Sequence, residues 1–248
     1  MNLFRADLHV HTLLSPCGDL DMTPAAIVET AARRGIDILG IADHNSTKHG
    51  PLLSKLAQKQ GIFVLCGAEV TTREEAHVLT FFENFEILNE FQQYLDKHLP
   101  PIKNNPRFFG HQVVIDEEEM IVEEEERLLI TAIDQNLDQI QVEVHRLGGL
   151  FIPAHIDRPR YSITSQLGFV PPGIKADALE ISAFITPEQI AAKFPWIASY
   201  TFIRSSDAHH PDAIGSGITI FEIERRSFDE IRKALHRVDM RNTSIERQ

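Results

Sequence analysis

Six of the chain's twelve histidines stand in short motifs at the ends of apolar, strand-like runs. Asp7-Leu-His9-Val-His11 closes the run that begins at Leu3. Ala42-Asp43-His44, Gly67-Ala-Glu69, Ala76-His77, Pro153-Ala-His155 and Asp207-Ala-His209 each follow or end a run rich in Ile, Val, Leu or Phe. His9 and His11 are two apart, so on a strand their rings share one face. Paired neutral imidazoles form half of a transition-metal site. A chain that keeps such residues at many strand ends is constrained to folds that gather those ends, and an α/β barrel builds its active site that way.

The intervening sequence fits such a fold. Thr23-Pro24 offers a hydroxyl cap and then proline at the first helical position. Ile27, Val28 and Ala31 follow at helical spacing, and Gly35 ends the helix. Residues 36–41 read as a buried strand running to Asp43-His44. A second helix near 51–60 leads to a strand over 62–69. Strand and helix alternating at short spacing predict a parallel α/β sheet. Regularity returns with a helix over 137–147, ended by Gly148-Gly149, and a strand over 150–154. Strands are expected over 178–182, 201–205 and 217–221, with helices near 187–194 and 228–238.

Between these parts, 85–98 reads as a helix and 99–107 as a loop rich in Pro and Asn. Residues 112–116 and 120–124 form a hairpin, or the stretch runs helically from Glu117. The Glu117–Glu119 and Glu123–Glu126 clusters are expected to be a solvated face, since adjacent like charges repel. Residues 84–131 are expected to be an insertion over one rim of a single domain spanning 1–248.

Hydrophobic residues make up 43% of the 248, which suffices for a full core and excludes wholesale disorder. The net charge of −12 argues against general nucleic-acid binding by phosphate neutralisation. A small anion remains compatible where bound cations dominate the local field. Cys17 and Cys66 are the only cysteines, too few for a disulfide framework. No apolar run is long enough to span a bilayer. Met1 leads straight into the first strand, leaving no room for a signal peptide. These features together set the expectation of a cytoplasmic protein with no membrane association. The sequence carries no signal for oligomeric state.

A lone histidine at a strand end is usually a satisfied polar group, and a lone His-x-His is a weak signal. The joint pattern is what points to metal. His49, His98, His111, His145 and His236 lack this context and are assigned to surface or helix positions. His210 is expected to point away if His209 points in.

His9-x-His11, Asp43-His44, Glu69, His77, His155 and Asp207-x-His209 resemble, in order and over nearly the whole chain, the motifs of the PHP (polymerase and histidinol phosphatase) family. The likeness is closest to its small stand-alone phosphoesterases, some of which act on nucleotides or short oligonucleotides. The resemblance implies a distorted (β/α)7 barrel and two or three divalent ions, variously manganese, zinc or iron. It implies that His9, His11, Glu69 and Asp207 hold one ion, and that Glu69 bridges to a second held by His77 and His155. His44 and His209 would hold a third, with a ligand from the loop after His11. Relatives place histidine or aspartate in that loop, whereas this chain offers Cys17 or Asp19. A thiolate suits zinc or ferrous iron.

The implied chemistry is hydrolysis of a phosphate mono- or diester by a metal-activated water. Asp7 and Asp43 read as acceptors that fix the tautomer of a ligating histidine. Arg158, three residues after His155, is placed to meet a phosphate in bidentate fashion, while Arg160 reads as an exposed loop charge. Metal-dependent amidohydrolases also begin with His-x-His but often bridge their ions with lysine, and no lysine occupies a comparable motif. A non-catalytic metal-binding module is the third reading, and loss of ligands would favour it.

Overall fold

The structure is a computed structural model that describes residues 1–246. The first strand β1 (Asn2–Val10) is followed by α1 (Pro24–Arg33), β2 (Ile38–Ile41), α2 (Gly50–Gln58), β3 (Phe63–Thr71), β4 (His77–Phe82) and α3 (Phe85–His98). Next come a short helix α4 (Pro106–Phe109), a hairpin of β5 (Val113–Ile115) and β6 (Ile121–Glu124), α5 (Leu137–Arg146), β7 (Leu150–Pro153) and α6 (Ile163–Leu167). The chain continues through β8 (Leu179–Glu180), α7 (Pro187–Lys193), β9 (Phe202–Ile203), β10 (Thr219–Ile223), α8 (Phe228–His236) and β11 (Asn242–Ile245).

One seven-stranded sheet runs in the order β11-β10-β1-β2-β3-β4-β7. It curls into a distorted barrel. Backbone bonds from Asp177 to Phe151 and from Ile156 to Glu180 join β7 to β8. Strand β8 pairs with β9 in parallel, and Ala208 bridges back to Val10 at the end of β1. Seven strands therefore circle the site: β1, β2, β3, β4, β7, β8 and β9.

Strands β1, β2 and β3 are parallel as expected. Strand β4 is not. It returns antiparallel from β3, with Thr71 opposite His77. His77 therefore begins a strand rather than ending one, and the reversal is what returns it to the rim that carries Glu69. Strands β10 and β11 extend the sheet antiparallel beyond β1. The sequence reading placed no strand at 242–245.

Local signals agree with the elements. Thr23 Oγ1 accepts the Ala26 N–H at 3.2 Å, and Gly35 follows α1 with φ +64°, the left-handed conformation glycine adopts freely. Gly67 is needed for close strand approach: a Cβ there would lie 1.7 Å from the Thr80 carbonyl oxygen. Residues 112–124 adopt the hairpin reading, not the helical one. The core is split by the sheet. Phe81, Leu8, Leu79 and Ile152 fill the barrel side, and Leu53, Phe91, Phe151 and Ile140 fill the helix layer.

The stretch 84–131 has two parts. Its first element, α3, buries Leu88, Phe91 and Leu95 in the main core and so belongs to the helix layer. The remainder runs along the rim, tied down by Asn45 Nδ2 donating to the carbonyls of Leu129 and Thr131 at 2.7 and 2.9 Å. Among the described residues no helix is long and apolar enough to cross a membrane.

Candidate metal centre

Glu69, fully buried near the end of β3, is the hub. Its Oε1 lies 2.8 Å from His77 Nδ1, 3.2 Å from His155 Nε2 and 3.3 Å from His9 Nε2. Its Oε2 lies 3.1 Å from His44 Nδ1 and 3.4 Å from His11 Nε2. Five imidazoles from four separate stretches of chain thus meet one carboxylate. Asp207 closes the other side: its Oδ1 is 3.3 Å from both His9 Nε2 and His11 Nε2.

The proton positions show what the cluster wants. Ser15 Oγ donates to Asp43 Oδ1 at 2.8 Å, so toward His11 it can only accept, at 3.0 Å. The His11 proton therefore sits on Nδ1. His9 Nδ1 faces the Glu180 carboxylate at 3.1 Å and likewise carries hydrogen. Both Nε2 atoms then present lone pairs, 3.1 Å apart, to each other and to two carboxylates. A positive charge among them reconciles that arrangement, either a metal ion or a second proton on His9, whose pKa Glu180, Asp207 and Glu69 raise well above the usual value against burial. The spacings fit a metal ion: four ligands about 2.1 Å from a metal in a tetrahedron stand about 3.4 Å apart. Among the described residues, buried His77 Nε2 and His155 Nδ1 have no hydrogen-bond partner, and His44 Nδ1, close to Glu69, is not aligned to bond with it.

The charges are tuned against burial. Burial pushes the Glu69 carboxyl up, but His77, His9 and His44 outweigh it and hold it well below the usual range. Burial pushes Asp207 up too, and His9 and His11 again win and lower it strongly. Both carboxylates therefore stay ionised. Burial drives the His44 imidazole well down, and His209 down to about 4, so both offer neutral nitrogens.

His209 sits at the mouth, its ring stacked on His11 with centroids 4.2 Å apart. Its Nδ1 donates to the Asp207 carbonyl at 2.9 Å, which leaves Nε2 for a ligand. Ligand atoms of His11, Cys17, His44 and His209 all lie within 4.8 Å of one another. Cys17 is exposed as a residue, yet its thiol faces this group. Burial and the nearby Glu69 and Asp207 charges push that thiol far up, a penalty that a bound cation reverses. Asp19 turns away. Its Oδ1 accepts the Asp21 N–H at 3.0 Å in an exposed turn, so the structure does not bring it to the cluster.

The two acids read as imidazole acceptors act differently from that reading. Asp7 accepts the backbone N–H groups of Ser206 and Gly215 at 2.9 and 2.7 Å, pinning the loop that presents Asp207. Asp43 reaches His11 only through Ser15. Both lie where strand ends abut loops, so backbone donors claim them before a ring can. One assignment needs correction: His49 is fully buried rather than superficial. Arg160 is an exposed loop residue as expected, and it also lines the cleft alongside Arg158.

Glu180 escaped the sequence reading. It is buried at the end of β8, accepts from His9 Nδ1, and accepts the His155 N–H at 2.9 Å. His155 and Asp207 both hold positive φ, +29° and +51°, a strained backbone that such bonds must hold in place. The signal was a lone acid in the middle of the expected apolar strand 178–182.

A cleft of about 350 Å³ opens over the cluster, lined by Ile130, Arg158, Arg160 and Tyr161 among others. Arg158 Nη1 is ion-paired to Asp207 Oδ2. The Tyr161 ring lies nearly parallel to that of His77, centroids 4.9 Å apart. This is a dense nitrogen and carboxylate floor beneath a cationic rim.

Comparison with known proteins places this geometry. The PHP domain profile matches residues 7–178, and a PHP-associated profile matches residues 191–239. The chain is 25% identical over 272 residues to the uncharacterized protein YqxK of Bacillus subtilis, covering 97% of this chain and 64% of that protein. The lesion-specific endonuclease PfuEndoQ from Pyrococcus furiosus superposes with a TM-score of 0.69 at 22% identity, over 98% of this chain and 58% of that one. A candidate metal-dependent phosphoesterase from Bifidobacterium adolescentis gives 0.60 at 20%, over 94% and 96%. The chain thus spans about three fifths of YqxK and of PfuEndoQ, and the structural likenesses establish the fold. With the family profile covering more than half of its length, and with the histidines and acids of its motifs gathered at one end of the barrel, the chain belongs to the PHP domain family.

Proposed function

We propose that this protein is a metal-dependent phosphoester hydrolase. The observation that carries the reading is Glu69, a buried ionised carboxylate with both oxygens against five imidazoles. His9, His11, Glu69 and Asp207 would hold one ion, and Glu69, His77 and His155 a second. His44, His209 and Cys17, with His11 adjoining, would hold a third. Manganese, zinc and iron all suit this donor set. Bound divalent ions would supply a water nucleophile at neutral pH and neutralise charge on the phosphate oxygens.

The chain's own groups would do the rest. Arg158 can release Asp207 and engage a non-bridging phosphate oxygen, with Arg160 beside it at the cleft mouth. Tyr161 shields His77 and offers a flat apolar wall for a ring of the substrate. His209 stands at the mouth, lowered by burial, and can carry a proton only transiently. We favour for it the role of ligand.

The substrate is a phosphate mono- or diester, with nucleotides and short oligonucleotides leading. Endonuclease Q, of the same fold, is described in complex with a 27-mer duplex bearing an abasic lesion at the active site. The net charge of −12 therefore does not by itself decide against longer nucleic acid, since a local field set by bound ions can outweigh it.

The test is turnover of bis(p-nitrophenyl) phosphate and short oligonucleotides before and after exhaustive chelation. Activity should vanish and return with Mn²⁺ or Zn²⁺. Glu69→Gln should lower metal content and reduce turnover to near background while the barrel stays folded. An unchanged rate after chelation overturns the metal reading.

A further inference from the structure

The loop after His11 is fastened from a distance. Hairpin β5–β6 reaches it in two independent ways. Leu13 forms a small apolar cluster with Val113 and Ile115, apart from both main cores. In addition, the Ile115 backbone N–H donates to His49 Nε2 at 3.1 Å. That bond fixes every proton in the chain of contacts that follows.

Because Nε2 of His49 accepts, its proton is on Nδ1, and burial holds the ring neutral by lowering its pKa. Nδ1–H donates to Thr12 Oγ1 at 2.8 Å. Thr12 Oγ1–H then donates to Asp43 Oδ2 at 2.8 Å. Asp43 Oδ1 accepts the Thr12 N–H at 2.7 Å and the Ser15 hydroxyl at 2.8 Å. Ser15 Oγ, its hydrogen spent, accepts His11 Nδ1–H and the His44 N–H at 3.0 and 3.1 Å. Each donor has one acceptor and no buried group in the series is left over, so the network has a single consistent direction.

We propose that His49 and Thr12 are positioning residues that couple the docked hairpin β5–β6 to His11, so that the hairpin sets the orientation of the loop presenting His11, Ser15 and Cys17. The inference rests on His11 being a metal ligand, not on the identity of the substrate. A network that merely satisfies buried polar groups would support the fold without touching the affinity of the site. One that orients a ligating imidazole should alter metal affinity roughly ten- to hundredfold when broken.

The experiment uses Thr12→Val and Thr12→Ser, with His49→Asn and His49→Gln. Asparagine can keep the donor toward Thr12 and loses the acceptor for Ile115, while glutamine does the reverse. Two readouts are taken on the full chain: Zn²⁺ affinity by competition with a chromophoric chelator, and the tautomer of His11 from imidazole ¹⁵N shifts in metal-free protein. Thr12→Val and both His49 variants should lose tenfold or more in affinity and show His11 as a tautomer mixture. Thr12→Ser should restore both. Affinity within twofold of the parent, or lost affinity with His11 still wholly Nδ1–H, overturns the proposal. Should Thr12→Val not fold, the two His49 variants decide. If the parent protein binds none of zinc, manganese and iron, the metal-dependent hydrolase reading falls, and the ¹⁵N signature alone decides whether the network orients His11.

Discussion

Glu180 holds two ligand candidates at once: its Oε2 lies 3.1 Å from His9 Nδ1 and accepts the His155 backbone N–H at 2.9 Å. Both bonds are buried. Burial pushes its carboxyl up, but His9 outweighs this and keeps it ionised below the usual range. Glu180→Gln keeps the shape and removes the charge that favours a proton on Nδ1. The variant should bind metal roughly ten- to hundredfold more weakly while remaining folded. Metal content after gel filtration, together with far-ultraviolet circular dichroism, checks this. Full metal loading would show that Glu180 supports only the backbone at His155.

Cys17 is tested by proton balance. Its thiol is pushed far up by burial, Glu69 and Asp207, so alkylation is slow with or without metal and discriminates poorly. A thiol that becomes a ligand must release its proton. Calorimetric zinc titration in buffers of different ionisation enthalpy should therefore show about one proton fewer released by Cys17→Ser, with one ion fewer bound. Asp19→Asn should change neither number. A loss of metal in Asp19→Asn instead would mean that the loop rearranges on binding.

Arg158 shares Asp207 with the imidazoles: Nη1 takes Oδ2, while Oδ1 faces His9 and His11. Arg158→Ala should lower kcat/KM roughly ten- to hundredfold through KM, the scale of a lost charge-assisted hydrogen bond, and leave metal content close to normal. Steady-state kinetics with parallel metal analysis measures it. A large fall in bound metal would make Arg158 a support for Asp207 rather than a contact for the substrate.

Far from the cleft, Asp177 fastens the foot of the barrel. Its carboxylate accepts the Phe151 N–H at 2.7 Å and sits 3.3 and 2.7 Å from His145 and His236. Burial raises its pKa, but these partners more than offset that, and the net shift is downward. A lowered carboxyl stabilises the fold above the ordinary carboxylate pKa and loses that effect as pH falls through the lowered value. Asp177→Ala should cost about 2 kcal/mol at pH 7 and flatten the acid limb of the stability curve. Urea unfolding between pH 3 and 8 checks both.

The periodicity of 24–33, 137–146 and 228–236 was legible because each helix turns one apolar stripe inward, with its cap beside it in the chain. The candidate ligand histidines were legible for a related reason. Strand ends must be polar where they meet a cleft, and His9, His11, His44 and His155 stand at such ends. Glu180 and His49 were not legible. Each is one polar residue in an ordinary local context, and its role comes from partners 171 and 66 residues away.

By itself the sequence determined the α/β alternation, an apolar content sufficient for a full core and the set of nitrogen and oxygen donors able to hold metal, since these follow from local pattern and residue chemistry. Only the tertiary structure decided the reversal of β4 that returns His77 to Glu69. It alone chose Cys17 over Asp19 to face the imidazoles, routed Asp43 to His11 through Ser15, and placed Arg158 on Asp207. Those outcomes depend on which backbone groups compete for a carboxylate across a closed barrel. That competition is settled by distances of about 3 Å between residues far apart in the chain, which no local pattern encodes.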